Sequence, residues 1–279
     1  MTEKTIKSKE TEQNNDTVSF KKLSIQVSLN GLSFFVLDTI ANKVIVADHV
    51  DFKTETTPYL LQKELKNTLK KHDLTSTSFS EVTVIHRNDM FALVPKSLFD
   101  IDELPNYLKF NTKLLANDEI AYDELKNHEI VTVYVPFTNI NNYVFDLFGE
   151  FDFTHNSTVV LLSLFNQKIG SKPVCYVHVS KNNFELAVFD QKRLVLFNQF
   201  QFKTKEDFLY YLLFTYEQLN LDTESVKLKL FGAIEEGDEL YCICYEYIKK
   251  VVVFEPNKNA LDVDGNESTS IDFTLLSSF

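Results

Sequence analysis

Apolar and polar residues alternate from Leu23 onward, which is the pattern of a half-buried β-strand. Two further alternating stretches follow after short turns, so residues 23–54 are predicted to form a three-stranded antiparallel meander. The dipeptide Asn30-Gly31 in the first turn favours a type I′ hairpin, because both residues tolerate positive φ. A helix is expected from Pro58 to about His72, followed by a short apolar strand.

The same order of elements recurs in the second half of the chain. Residues 174–202 alternate in three stretches with turns between them, and Phe202-Lys203-Thr204 repeats Phe52-Lys53-Thr54. A helix over 205–220 and an apolar strand over 226–231 complete the repeat. We therefore predict an internal duplication of a βββαβαβ unit.

The segment between the two copies is predicted to contain an inserted subdomain, followed by the strands and helices that lead into the second copy. Strands are expected at 90–95, 118–123 and 130–135, and helices at 102–115, 138–150 and 158–169. The predicted organisation is a disordered tail at 1–20, a first lobe at 21–170 with an inserted subdomain at about 90–125, a second lobe at 171–256 and a C-terminal tail at 257–279. The ending FTLLSSF either packs as a strand or binds a partner.

Charge and composition exclude several functions. The net charge of −12 argues against nucleic acid as a partner. Four lysines between Lys63 and Lys71 lie on the polar side of a predicted amphipathic helix, and a solvated helix face is favoured over a basic binding patch. No apolar run is long enough for a membrane span, so we expect no direct membrane insertion. Three cysteines, predicted to be buried structural thiols, fit a reducing cytoplasm.

The duplicated meander, helix, strand, helix and strand resemble the actin-like ATPase superfamily, and within it the bacterial FtsA and PilM branch, where a subdomain also interrupts the first lobe. Residues 20–255 also resemble an uncharacterised bacterial family of this superfamily. The resemblance implies an α/β fold with mixed sheets in two lobes, of the ribonuclease H-like type, with a nucleotide cleft between the lobes.

The family places an Asp-x-Gly motif in the first hairpin of each lobe, where the aspartate organises magnesium and the glycine lets backbone amides approach phosphate. Those positions are Gln26 and Ser28 in the first lobe and His178 and Ser180 in the second. The second turn carries Lys181, and of the glycine pair that contacts adenosine in the family only Gly232 remains. No metal site and no catalytic residue is therefore predicted.

His178 has two interpretations, a ligand contact that replaces the aspartate or a hydrogen-bonded strand histidine, and the second is favoured. The helix around Tyr210–Tyr216 carries aromatic and aliphatic residues on nearly every face. Either it is buried between a sheet and a neighbouring subdomain, or it forms a protein-binding or homodimer surface.

The sequence thus predicts a cytoplasmic, non-catalytic actin-like module that acts as a scaffold or interaction protein with an unknown protein partner. The alternative is a degenerate nucleotide-binding protein that holds ATP or ADP in the cleft without efficient hydrolysis.

Overall fold

A computed structural model describes residues 19–110, 112–115, 117–167, 169–254 and 262–263. Most of the predicted tails, including the FTLLSSF ending, lies outside the described residues. The chain divides into two compact units, each considered by itself. Unit 1 comprises residues 1–160 and 260–279, and unit 2 comprises residues 161–259.

Unit 1 is built on a mixed sheet whose first three strands are the predicted meander. The elements of the sheet and its helices are β1 (Lys21–Ser28), β2 (Gly31–Asp38), β3 (Lys43–Asp51), α1 (Pro58–Lys71), β4 (Glu81–His86), α3 (Thr138–Phe148) and β8 (Asp152–His155). A two-residue strand, β14 (Asp262–Val263), pairs in parallel with β3. The strand order is β14-β3-β2-β1-β4-β8.

Apolar residues of β1 and β2 form the core of unit 1 together with one face of α1 and α3. Leu61, Leu65 and Leu69 recur every four residues, so they share one face of α1 and are fully buried. Thr57 caps this helix, because its hydroxyl accepts a hydrogen bond from Leu60 N–H, and Pro58 opens it, as predicted.

An inserted subdomain interrupts unit 1 between β4 and α3. It contains β5 (Phe91–Pro95), α2 (Leu104–Leu108), β6 (Ala121–Leu125) and β7 (Ile130–Tyr134). The three strands form a separate antiparallel sheet with β7 in the centre, the position predicted for this apolar stretch. The helix predicted over 102–115 is wrong in length, since α2 has five residues and buries only Leu108. One buried residue cannot stabilise a helix of several turns.

Unit 2 repeats the plan of unit 1 without an insertion. Its elements are β9 (Val174–Val179), β10 (Asn183–Asp190), β11 (Arg193–Gln201), α5 (Lys205–Gln218), β12 (Lys227–Gly232), α6 (Glu239–Tyr247) and β13 (Val251–Val253), and the sheet order is β11-β10-β9-β12-β13. Helix α4 (Asn156–Phe165) runs from one unit into the other.

The two sheets agree in register as well as in order. Gln26 lies opposite Ser33, and His178 lies opposite Glu185, which is the same pair displaced by 152 residues. Each meander also has an irregularity at equivalent places, after Val36 and after Val188. The predicted mixed α/β fold with repeated βββαβαβ units is confirmed, and β8, a strand the sequence did not predict, is the counterpart of β13.

Candidate functional site

The first hairpin turn binds its own backbone through Ser28. The hydroxyl of Ser28 donates to the carbonyl of Gly31 at 2.9 Å and accepts from the amides of Gly31 at 3.0 Å and Asn30 at 3.2 Å. Ser28 pairs with Gly31, so the turn residues are Leu29 and Asn30, and none of the four has positive φ. The prediction of a type I′ turn at Asn30-Gly31 is therefore wrong.

Gly31 is needed for a different reason. A Cβ atom at this position would lie 2.7 Å from the carbonyl oxygen of Val50 in the neighbouring strand. Glycine at this position reflects the close approach of β3 rather than a turn conformation.

In unit 2 the strand position equivalent to Gln26 is His178, which forms a buried pair of ionisable side chains with Glu185. His178 Nδ1 lies 2.8 Å from Glu185 Oε2, and the side chains are only 2% and 1% exposed. The imidazole also stacks on the ring of Phe231, with centroids 4.9 Å apart. His178 is therefore a hydrogen-bonded strand residue, which is the interpretation that the sequence favoured.

Gly232 makes room for this histidine. Its φ is +93°, and an added Cβ would lie 2.4 Å from the carbonyl oxygen of Val179 and 2.7 Å from His178 Cδ2. Both the backbone conformation and the close contacts require glycine here. The residue that the family resemblance assigned to adenosine is thus explained by packing against His178.

Of the other predicted positions, only Lys181 carries a charge. Gln26 is buried on β1 opposite Ser33, Ser180 donates its amide to the carbonyl of Asn183, and Lys181 is exposed in the turn. Among the described residues, no group of three His, Cys, Asp or Glu side chains is arranged to hold a metal ion.

Glu185 was not among the predicted site residues. Hairpin pairing places it directly opposite His178, because both are equidistant from the Lys181-Asn182 turn. That relation could be found in the sequence once the turn was located.

A second buried polar cluster surrounds Asp123 on β6. One carboxylate oxygen, Oδ2, accepts from the Thr154 hydroxyl at 2.7 Å, the His155 amide at 2.8 Å and the Thr158 hydroxyl at 2.7 Å. These donors belong to β8 and α4, so a single carboxylate joins the inserted subdomain to the main sheet of unit 1. Asp123 was not among the residues predicted to form a site.

Helix α5 has one buried and one exposed aromatic face. Phe208, Leu212 and Tyr216 follow one another at four-residue spacing and pack in the core of unit 2. Tyr210 and Phe214 are 62% and 44% exposed. The predicted interaction surface around Tyr210–Tyr216 must therefore be corrected, since Tyr216 is 1% exposed and cannot contact a partner.

The three cysteines are not equivalent. Cys175 and Cys244 are buried, which raises the pKa of both thiols, that of Cys244 to about 12. Cys242 is exposed, so the prediction of three buried thiols is wrong for this residue. The lysines of α1 are exposed, and Lys71 forms an ion pair with Asp48 at 2.9 Å, which agrees with a solvated helix face.

Comparison with known proteins places the chain in a family. A family described as a protein of unknown function, DUF3822, matches residues 10–251. The chain belongs to this DUF3822 family. No protein with a curated description matches the chain.

Solved structures show the fold of this DUF3822 protein. A Bacteroides thetaiotaomicron protein with an actin-like ATPase fold and unknown function is 24% identical, with a TM-score of 0.74 over 85% of this chain and 91% of that one. A chain of the PilM–PilN type IV pilus biogenesis complex is 11% identical, with a TM-score of 0.54 over 87% of this chain and 90% of that one. The predicted actin-like ATPase fold and the similarity to PilM are confirmed.

None of the helices in the described part of the chain is long and apolar enough to cross a membrane.

Proposed function

We propose that this protein is a non-catalytic actin-like module whose role is to bind another protein. The observation that supports this most strongly is the buried His178–Glu185 pair, which occupies the place where the superfamily carries a magnesium-organising aspartate. The equivalent position in unit 1 is Gln26, an amide without charge.

Phosphoryl transfer depends on positioning and on neutralising the charge of the transferred group, usually through a metal ion held by carboxylates. The carboxylate of Glu185 lies opposite His178 in the hairpin and bonds to it at 2.8 Å. The hydroxyl of Ser28 forms hydrogen bonds with the backbone of Gly31 in its own turn. These side chains serve the stability of the two hairpins.

Two further observations favour a binding role. A protein of the same fold occurs in a complex of PilM with PilN, which indicates that this architecture can serve assembly. The exposed face of α5 presents aromatic side chains of the kind enriched in interfaces. We further propose that the repeated units arose by internal duplication and that the protein works in the cytoplasm, where its free cysteines would stay reduced.

Nucleotide binding and turnover test this proposal on the full-length protein. We expect no release of phosphate from ATP with magnesium, and no rise of the melting temperature at millimolar ATP or ADP, since a ligand of the native state must stabilise it. Turnover that is lost in both Gln26→Ala and His178→Ala would refute the proposal. A nucleotide-dependent rise in melting temperature without turnover would instead establish the degenerate nucleotide-binding protein.

A further inference from the structure

A groove runs between helices α5 and α6 on the surface of unit 2. Its volume is about 760 Å³, within the range of about 300–1,000 Å³ that is usual for binding clefts. Leu209, Leu213 and Ile243 contribute buried or half-buried aliphatic surface to its lining. The groove lies on the helical side of the unit, where the core residues Phe208 and Cys244 attach the same two helices to the sheet.

Exposed aromatic side chains line the groove. Tyr210 and Phe214 are one helical turn apart and stack at 6.0 Å, and Tyr247 of α6 is 54% exposed. Isolated exposed apolar residues are common, but an aromatic set around one concave surface is typical of interaction sites.

The charges at the groove are strongly biased. Four exposed glutamates line it, against one exposed lysine, Lys205, which gives a formal charge of −3. The glutamates are Glu206, Glu217, Glu239 and Glu246. An apolar groove with an acidic rim is complementary to a segment that carries cationic residues beside an apolar stripe.

We propose that the α5–α6 groove binds an amphipathic helix of another protein, with lysine or arginine residues flanking its apolar face. The inference rests on the proposed binding role and assigns that role to a surface. A helix is the expected form, because a groove between two helices accepts the apolar face of a third.

Charge argues against the two other occupants. A second copy of this chain would bring together equal acidic rims in a protein of net charge −12. The chain's own residues 255–279 contain five acidic residues and one lysine, and are also repelled.

Cys242 provides a native reporter, because it lines the groove and is the exposed one of the three cysteines. The probe is a synthetic leucine–lysine amphipathic helix of about four turns, compared with a leucine–glutamate peptide of the same pattern. Mass spectrometry follows alkylation of Cys242 in the full-length protein, and fluorescence anisotropy gives the Kd. We expect the cationic peptide to slow alkylation at least about tenfold and the acidic peptide to have no effect.

Matched variants locate the binding surface. The double variant Tyr210→Ser/Phe214→Ser and the double variant Glu206→Lys/Glu246→Lys should each raise the Kd at least about tenfold. Tyr59→Ser and Glu119→Lys, at exposed positions in unit 1, should leave it unchanged. All replaced residues are exposed, so melting temperatures should stay close to that of the wild type.

Several results would overturn the inference. These are equal protection by both peptides, absence of protection, or a Kd unaffected by the groove variants. Slow alkylation of Cys242 in the absence of peptide would also overturn the inference in two cases. In the first, deletion of residues 264–279 makes alkylation fast, so the chain's own end occupies the groove. In the second, the protein is a dimer that Tyr210→Ser dissociates, so a second copy occupies the groove. The ATPase assay on the same preparations tests the proposed function separately. A protein without ATPase activity that does not bind the peptide would contradict the groove assignment but not the proposed non-catalytic role.

Discussion

Tyr216 buries a hydroxyl group that has no hydrogen-bond partner among the described residues. Its neighbours include the two buried thiols, and burial raises the pKa of the phenol far above its usual value. The ring contributes to the core of unit 2, whereas the hydroxyl is desolvated without compensation. Its identity as tyrosine therefore has no structural benefit in this core.

Tyr216→Phe should consequently leave the free energy of unfolding unchanged or raise it by up to about 1 kcal/mol. Urea denaturation of the two proteins measures the difference. The matched change Tyr210→Phe, at an exposed site, should have no effect. A clear loss of stability in Tyr216→Phe would mean that the hydroxyl is hydrogen-bonded in solution.

The His178–Glu185 pair leads to a second prediction at the same scale. Glu185→Ala should lower the free energy of unfolding by about 3–5 kcal/mol, because it leaves a buried polar partner behind. His178→Leu/Glu185→Leu should cost much less, since both members of the buried pair are then removed together. Thermal denaturation of both variants tests this, and a double variant as unstable as Glu185→Ala would contradict the assigned role.

The candidate residues show how far a sequence can predict such a site. Gln26 and His178 could be identified through the resemblance to the actin-like superfamily, because its Asp-x-Gly motif falls on these positions of the two hairpins. Glu185 was missed because residues 184–189 of β10 are all buried, so the acidic residue does not mark a solvent-facing side. Tyr210 and Tyr216 are the same residue type on one helix, and only the packing of α5 on its sheet distinguishes them.

At the scale of elements, the end of α1 is fastened to β3 by Asp48. Its carboxylate lies 2.9 Å from Lys71 Nζ and 2.7 Å from His72 Nε2. Burial acts to raise the pKa of Asp48, but hydrogen bonds from Lys71, His72 and the His49 amide outweigh it and lower the pKa. A carboxyl group whose pKa is lower in the folded than in the unfolded state stabilises the fold at any pH above the unfolded-state pKa. This stabilisation is lost as the pH falls through the folded-state pKa.

Asp48→Asn should therefore reduce the free energy of unfolding at pH 7 by about 1 kcal/mol. The difference between wild type and variant should shrink as the pH falls below about 4, where the wild-type carboxylate also becomes protonated. Urea denaturation as a function of pH measures it. A difference that is constant down to pH 2 would show that charge on Asp48 is not the cause.

Most elements were predicted within a few residues, including the short strands β5 and β7, whereas β8 was missed. The leucines at four-residue spacing in α1 and the threonine before α5 mark both helices in the sequence. Strand β8 has four residues, of which one is buried, and it exists because β4 provides a parallel partner. Because β4 is distant from β8 in the chain, this pairing produces no recognisable pattern in the sequence around β8.

At the scale of the whole molecule, the fold could be recognised because it depends on the order of elements, and the same order occurs twice in the sequence. The function could not, because it depends on individual side chains at a few positions. Gln26 and His178 stand where the resemblance implies aspartates, whereas nothing in the sequence of this chain identifies the partner proposed for the α5–α6 groove.

The two meanders differ at the outer edge of their third strand. In unit 1, Asp262 and Val263 pair with Lys43 and Val44, whereas in unit 2 no strand among the described residues pairs with the outer edge of β11. Deletion from Ala260 onward should add an open edge at β3 to the one at β11 and increase self-association above that of the full-length protein, measurable by light scattering at increasing concentration. An unchanged monomer would contradict this. Asp262 and Val263 thus cover the outer edge of a strand that lies more than two hundred residues earlier in the chain.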